Sequence, residues 1–296
     1  MPDYGRPLEF GVSTEPLADP PEHAAKIAKA ADRSGLDLVG IQDHPYQRRF
    51  LDTWTLISTL VPVTENVRFF PDVANLPLRP PAMLAKAAAS LDVISGGRVE
   101  VGLGAGAFWD AVVGMGGERR SPGEAVRSTE EAIDVMRLVW SGERSLHYDG
   151  DFYSLKGMRP GPSPAHGVGI WVGAYGPRML GLIGRKADGW VPSLGFSPPG
   201  RLEDMHKRID EGAAEAGRDP SEIKRVYNVS GNIGPDGDGL LEGPVGKWVE
   251  TLSGFVLEGG MDSFIFWPGG DHARQTELFA REVVPAVREA VKGGRS

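Results

Sequence analysis

The sequence predicts an α/β fold of the (β/α)8 TIM-barrel class with loop insertions, on three observations. Short apolar, β-branched runs alternate with longer segments of helical period, eight times along the chain. A length of 296 residues suits a barrel of eight such units. No change of composition marks a linker, so one domain is expected over residues 1–296, with an insertion near 141–167. A doubly wound open sheet is the competing architecture, and it usually has fewer strands.

The elements follow in order. "LEFGVS" (8–13) is the first strand, followed by a helix over about 21–34 that Gly35 closes. "LDLVGI" (36–41) precedes a helix starting near Asp52. "VRFF" (67–70) precedes a helix over 81–94, where Leu84, Ala87, Leu91 and Ile94 recur at helical spacing. "RVEVGL" (98–103) precedes the best-marked helix, with Ser121 as N-cap, Pro122 in the first turn and Glu124 as capping-box acid. Val126, Thr129, Ile133, Met136 and Trp140 mark its buried face. Beyond the loop-rich 141–167, "IWVGA" (170–174) leads to a helix over 177–186, and "GWVPS" (189–193) to one near 202–216. "IKRVYNVS" (223–230) leads through the loop 231–243 to a helix near 245–258, and "DSFIFW" (262–267) to the last, 276–291.

Composition excludes several classes. No window approaches ~18 consecutive apolar residues, so no membrane span is expected. "MPDYGRPLEFGVS" lacks the basic head and apolar run of a secretory signal, and a cytoplasmic setting is expected. The absence of cysteine removes disulfides, iron–sulfur clusters and thiolate catalysis. A net charge of −8, with no basic stripe beyond Arg48–Arg49, argues against nucleic acid. His23, His147, His166, His206 and His272 show no metal-ligand spacing, so no metal is expected.

"LDVISGGRVEVGLGAGAFWD" (91–110) carries Gly102, Gly104 and Ala107 in the lettering of a dinucleotide fingerprint. That fingerprint needs a helix opening at once; Gly114, Gly116 and Gly117 make a continuous one improbable, so the Rossmann reading is rejected. Position serves better, because these residues end a barrel strand where active sites are built. Glycines there either let a flat ring lie against backbone or serve a tight loop with positive φ.

Together with "RPPAMLAKAAASLD" and "GRKADGWVPS", this stretch resembles the bacterial-luciferase-like family over nearly the whole chain. The resemblance implies a TIM-barrel oxidoreductase using a flavin or a deazaflavin. Gly104, Ala105 and Gly106 then form one corner of a flavin site at the barrel top. "GIQDHPYQ" puts Asp43 and His44 past the second strand, in a manner similar to the deazaflavin-using branch, with His44 the catalytic candidate. A loop histidine bonded to a carbonyl is the plain alternative. Pro71 cannot donate to a ladder, so a bulge or early strand end is expected after "VRFF". The family's bulge, with a non-prolyl cis peptide behind the ring, implicates Asp72, Val73, Ala74 and Asn75. The loop opening the helix at Pro177 matches the cofactor-phosphate loop and implicates Gly173, Ala174, Tyr175, Gly176, Pro177 and Arg178. Tyr46, Phe108, Trp109, Phe196 and Trp267, all at strand ends, are the candidate substrate walls.

Two chemistries follow from the resemblance. Reduced FMN with O2 acting on a small organic substrate is placed first, because the family is most often labelled monooxygenase; a separate flavin reductase would then be a partner. Hydride transfer with coenzyme F420 is the alternative, towards which the Asp-His element leans. A non-catalytic flavin binder and an unrelated phosphate-sugar barrel stay open, the latter wanting a lining lysine or carboxylate pair. Family habit implies a homodimer. The segments 141–167 and 231–243 are expected to shape the substrate site.

Overall fold

The computed structural model describes residues 3–295. Its strands are β1 (Glu9–Thr14), β2 (Leu38–Ile41), β3 (Arg68–Pro71), β4 (Ala74–Asn75), β5 (Val101–Gly104), β6 (Leu146–Asp149), β7 (Ser154–Met158), β8 (Ile170–Gly173), β9 (Gly189–Trp190), β10 (Lys224–Ile233), β11 (Glu242–Gly243) and β12 (Ser263–Pro268). The helices are α1 (His23–Arg33), α2 (Thr53–Leu60), α3 (Pro81–Ser95), α4 (Trp109–Gly114), α5 (Pro122–Trp140), α6 (Pro177–Lys186), α7 (Pro199–Glu215), α8 (Val245–Leu257), α9 (His272–Leu278) and α10 (Val284–Gly294).

Parallel pairing runs β3-β2-β1-β12-β10-β9-β8-β5-β4. Since β4 continues β3 past a two-residue bulge, and Phe69 also pairs with Val99, the sheet closes with eight staves. Strand alternation turns Leu38, Phe70, Trp171, Val191, Val226 and Ile265 into the lumen, while the larger apolar core lies between sheet and helices. At the amino-terminal end Arg68 bridges Glu9 (2.7 Å) and Glu100 (2.6 Å), and Lys224 also pairs with Glu9. That charge network plugs the bottom and leaves the carboxyl-terminal mouth for ligands.

Local chemistry sets the helix starts. Ser121 and Glu124 make the reciprocal capping box, and Asp52 caps α2 through the Thr55 N–H. Gly96, at φ +71°, terminates α3. The apolar face expected on α3 is corrected: Ile94 is 72% exposed and Ala87 only half-buried, while Ala85, Ala88 and Ala89 face inward. Close packing selects the small side chains, and the spacing of the large ones misled. The expected final helix is two helices joined by a widened turn, Phe279–Val283, just before Pro285, whose missing N–H interrupts the ladder. A six-residue helix, α4, does open after the glycine cluster, and it stops at Gly114.

Segment 141–167 holds the antiparallel hairpin β6–β7. It lies along the outside of α5, where Glu131 accepts the N–H groups of Asp151, Phe152 and Tyr153. The expectation that it shapes the mouth is therefore corrected; Phe152 and Tyr153 meet Arg120, just ahead of α5. Segment 231–243 instead folds back on the end of β10 through β11, at the mouth itself.

Candidate active site

Pro71 ends β3, as its missing N–H requires, and the next peptide, Asp72–Val73, is cis. The bulge drives the Val73 side chain into the lumen. A Cβ on Gly104 would stand 2.7 Å from Val73 Cγ2, one on Gly173 3.2 Å from the same atom, and one on Gly102 2.2 Å from the Pro71 carbonyl oxygen. The glycines thus make room for the bulge, and a side chain at any of the three would meet it. Gly106 differs: its φ of +108° favours glycine whatever the space, and Trp109 and Pro77 crowd the Cα. Gly102→Ala is expected to destabilise the fold by about 1–3 kcal/mol, because the obstructing atom is backbone. Urea unfolding at neutral pH reads this, and an unchanged midpoint would refute it.

Register aligns the three predicted elements. Asn75 lies opposite Gly104, and Gly104 opposite Gly173, so bulge, glycine cluster and the loop before α6 share one row of the rim. Ala74 is fully buried in that row; Ala105 stands beside it, half-buried. Ala174 is buried too, its carbonyl accepting from Trp190 Nε1 at 2.9 Å. Gly176 is the N-cap of α6, with no side chain to accept from the first-turn N–H groups, and the helix begins at Pro177.

The Asp-His element divides into two jobs. Both Asp43 oxygens are spent, on Arg79 Nε and Nη2 (each 2.6 Å) and on the Asn75 N–H (2.9 Å). Arg79 also bonds Asp52 at 2.6 Å, tying the ends of two loops together. Asp43, expected among cofactor contacts, is therefore an anchor that fixes its neighbour. His44 is half-buried, with Nδ1 2.6 Å from the Tyr46 hydroxyl and Phe108 against its edge at 5.8 Å. Burial holds its pKa below the ordinary histidine value, partly countered by Asp43, and burial raises that of Tyr46. Phe108 itself adopts φ +52°, a left-handed conformation that bulky residues seldom take.

The floor of the mouth is polar. Asp72 Oδ1 accepts from Asn228 Nδ2 (3.1 Å), and Asn228 Oδ1 accepts from Trp267 Nε1 (2.9 Å). Asp72 Oδ2 and Asn75 Oδ1 are buried with no partner among the described residues. Desolvation pushes the Asp72 carboxyl up to about 7, against the Asn228 hydrogen bond that lowers it. Asn228 and Arg79 were not singled out from sequence. A polar residue set between Tyr227 and Val229, at an inward position of β10, was the available signal for the first; a lone arginine before "PP" was a faint one for the second.

The aromatic residues do not all form walls. Tyr46 joins His44 and Phe108, Trp109 packs on Gly106, and Trp267 reaches the floor. Phe108 and Phe196 are 67% and 66% exposed and project from the rim, Phe196 against Tyr175 at 5.2 Å.

Comparison with known proteins gives a consistent result. The family described as luciferase-like monooxygenase matches residues 7–238. A 5,10-methylenetetrahydromethanopterin reductase of Methanolobus tindarius is 35% identical, over 92% of this chain and 78% of that protein. An F420-dependent glucose-6-phosphate dehydrogenase of Microbacterium testaceum is 29% identical, over 80% and 71%. Among solved structures, an F420-dependent secondary alcohol dehydrogenase in complex with an F420-acetone adduct superposes with a TM-score of 0.86 at 22% identity, covering 96% of this chain and all of that one.

Proposed function

Because this chain belongs to the luciferase-like monooxygenase family, with relatives that are F420-dependent oxidoreductases, we propose that it transfers hydride between coenzyme F420 and a carbon of a small organic substrate. This reverses the order of the two chemistries drawn from sequence, where FMN with O2 stood first. A separate flavin reductase belongs only to that FMN reading. The proposal includes a homodimer docked through barrel helices and a cytoplasmic setting.

The residues present fit a deazaflavin. Buried Asp72 Oδ2 and Asn75 Oδ1 flank the bulge without partners, and the N–H edge of a pyrimidinedione would satisfy an acceptor there. The uncapped start of α6, with Gly173, Tyr175 and Arg178 around it, suits a phosphate. Bound F420 supplies a hydride-carrying carbon where a flavin has nitrogen.

The protein's part is positioning and proton handling. Val73, pressed from behind by Gly104 and Gly173, backs the ring. The Asp43–Arg79–Asp52 clamp holds the loop that carries His44. With Nδ1–H donated to Tyr46, Nε2 offers a lone pair at the mouth. His44 is neutral at physiological pH because burial lowers its pKa, so Nε2 takes the substrate hydroxyl proton when hydride leaves, and returns it in reverse. Tyr46, Phe108, Trp109 and Trp267 contribute apolar surface for the substrate. The observation that carries this reading is the His44–Tyr46 pair, held by a fully engaged Asp43 beside the cis-linked bulge.

Fluorescence titration with F420 and with FMN, followed by mixing with candidate alcohols under anaerobic and then aerobic conditions, tests the proposal. F420 is expected to bind at least about tenfold more tightly than FMN, a difference of about 1.4 kcal/mol. Tighter FMN binding with substrate-dependent O2 uptake would overturn it in favour of the monooxygenase.

A further inference from the structure

Asp72 stands on the cis-linked bulge at the floor of the mouth and is only 7% exposed. Its Oδ1 accepts from Asn228 Nδ2 at 3.1 Å, whereas Oδ2 has no partner among the described residues. A Cβ on Gly40 would lie 3.1 Å from Oδ2 and 3.0 Å from Phe70 Cζ, so the free oxygen faces the apolar filling of the lumen. No described cation is set against it from any neighbouring element. From β2 come Gly40 and Ile41, whose carbonyl accepts the Asp72 N–H at 2.7 Å. From β10 comes Asn228, itself held by Trp267 of β12. The loop before α6 brings Tyr175, a phenol whose pKa burial above all keeps raised. Asp43, on the loop after β2, is paired with Arg79. Burial pushes the Asp72 pKa up to about 7.

The bulge thus offers two buried acceptors, Asp72 Oδ2 and Asn75 Oδ1. The edge of a pyrimidinedione carries one N–H between two carbonyl oxygens, so it satisfies one acceptor and turns only oxygen toward the other. Oxygen facing oxygen with no proton between them leaves both unpaired, at the cost of a buried polar group. A carboxylate resolves that mismatch by taking a proton and becoming a donor. Seating a ring also removes water from around Oδ2, which disfavours the ion further. We propose that Asp72 takes up one proton from solvent as the coenzyme binds, and that its neutral O–H donates to an oxygen of the ring. Only an O–H bond forms, and no electron moves. This rests on the F420 reading and adds regulation to it, since coenzyme affinity then weakens as pH rises. The rival arrangement has the Asn75 amide turned about, with Nδ2 toward the ring and an ionised Asp72 accepting the N–H.

Calorimetry of F420 binding to wild type and to Asp72→Asn, at pH 6 and pH 8.5 in buffers of different ionisation enthalpy, counts the protons without turnover. Asparagine resembles the neutral acid, since it keeps an acceptor for Asn228 and has a donor for the ring. Free Asp72 is mostly protonated at pH 6 and mostly ionised at pH 8.5, so its uptake should rise from near none to about one proton per ring. The two proteins should bind F420 within about twofold of each other at pH 6. At pH 8.5 the variant should bind about tenfold more tightly, a gain that unfolding cannot imitate. Titration of the ring itself and of His44 is common to both proteins and cancels in the difference. An infrared difference spectrum at pH 8.5 should show the carbonyl band of a protonated carboxyl in wild type and not in the variant. Equal proton counts and parallel affinities would overturn the proposal, leaving the F420 reading intact with Asp72 ionised. F420 binding to neither protein at either pH would sink that reading, and the coupling with it.

Discussion

His44→Ala is expected to lower the turnover of F420-dependent hydride transfer by about 10²–10⁴-fold, the usual worth of a positioned general base. Coenzyme affinity should change far less, because no anchor of the bulge or of the α6 loop passes through the imidazole. The expectation stands on geometry: Asp43 is fully engaged by Arg79 and Asn75, so the next residue is held in place, and Tyr46 meets Nδ1 at 2.6 Å. The pH dependence has a definite sign. In the proposed mechanism the neutral imidazole is the active form, and burial lowers its pKa, so activity is expected to fall on acidification only below the ordinary histidine range. Steady-state rates across pH, with single-turnover mixing to isolate the chemical step, provide the measurement. Undiminished turnover in the variant would remove His44 from the mechanism, and coenzyme binding without turnover in wild type would favour the non-catalytic binder.

Asp72→Asn is expected to have the second large effect, on stability and in a pH-dependent direction. Burial raises the folded-state pKa from 3.8 to about 7. The folded protein therefore holds a proton that the unfolded chain has released between those values. The group's stabilising contribution is complete below the unfolded pKa and is lost as pH rises through the folded one. Across about three pH units this linkage reaches roughly 4 kcal/mol at most. Asparagine preserves the shape and has no proton to lose. Relative to wild type, the variant should gain a few kcal/mol in urea-unfolding free energy between pH 5 and pH 8.5. An equal difference between the two proteins at both pH values would show that the carboxyl does not titrate in this range.

Much of the fold was legible because its signals are local. Ser121, Pro122 and Glu124 specify a helix start through their own backbone contacts, and Pro71 specifies a strand end through its missing N–H. Eight alternating units specify the class of architecture because each period reports which face is buried. The family resemblance supplied the bulge, and the structure puts its cis peptide at Asp72–Val73. Errors arose where a local pattern had two physical causes. Ile94 kept the helical spacing of a core residue but lies on the outside, since the alanines of α3 make the close contact. The glycines of β5 make space for Val73, a demand that only the folded bulge reveals.

By itself, then, the sequence determined the order of the elements, the helix starts, the broken third stave and the candidacy of His44, all properties of residues near one another in the chain. Tertiary structure alone decided what meets across the lumen. Asn228 reaches Asp72 from 156 positions away, Arg79 locks Asp43 to Asp52, and Arg178 of α6 comes up against Gly123 of α5. The reason is that sheet closure and strand register set these encounters, and register belongs to the packing of all eight staves together.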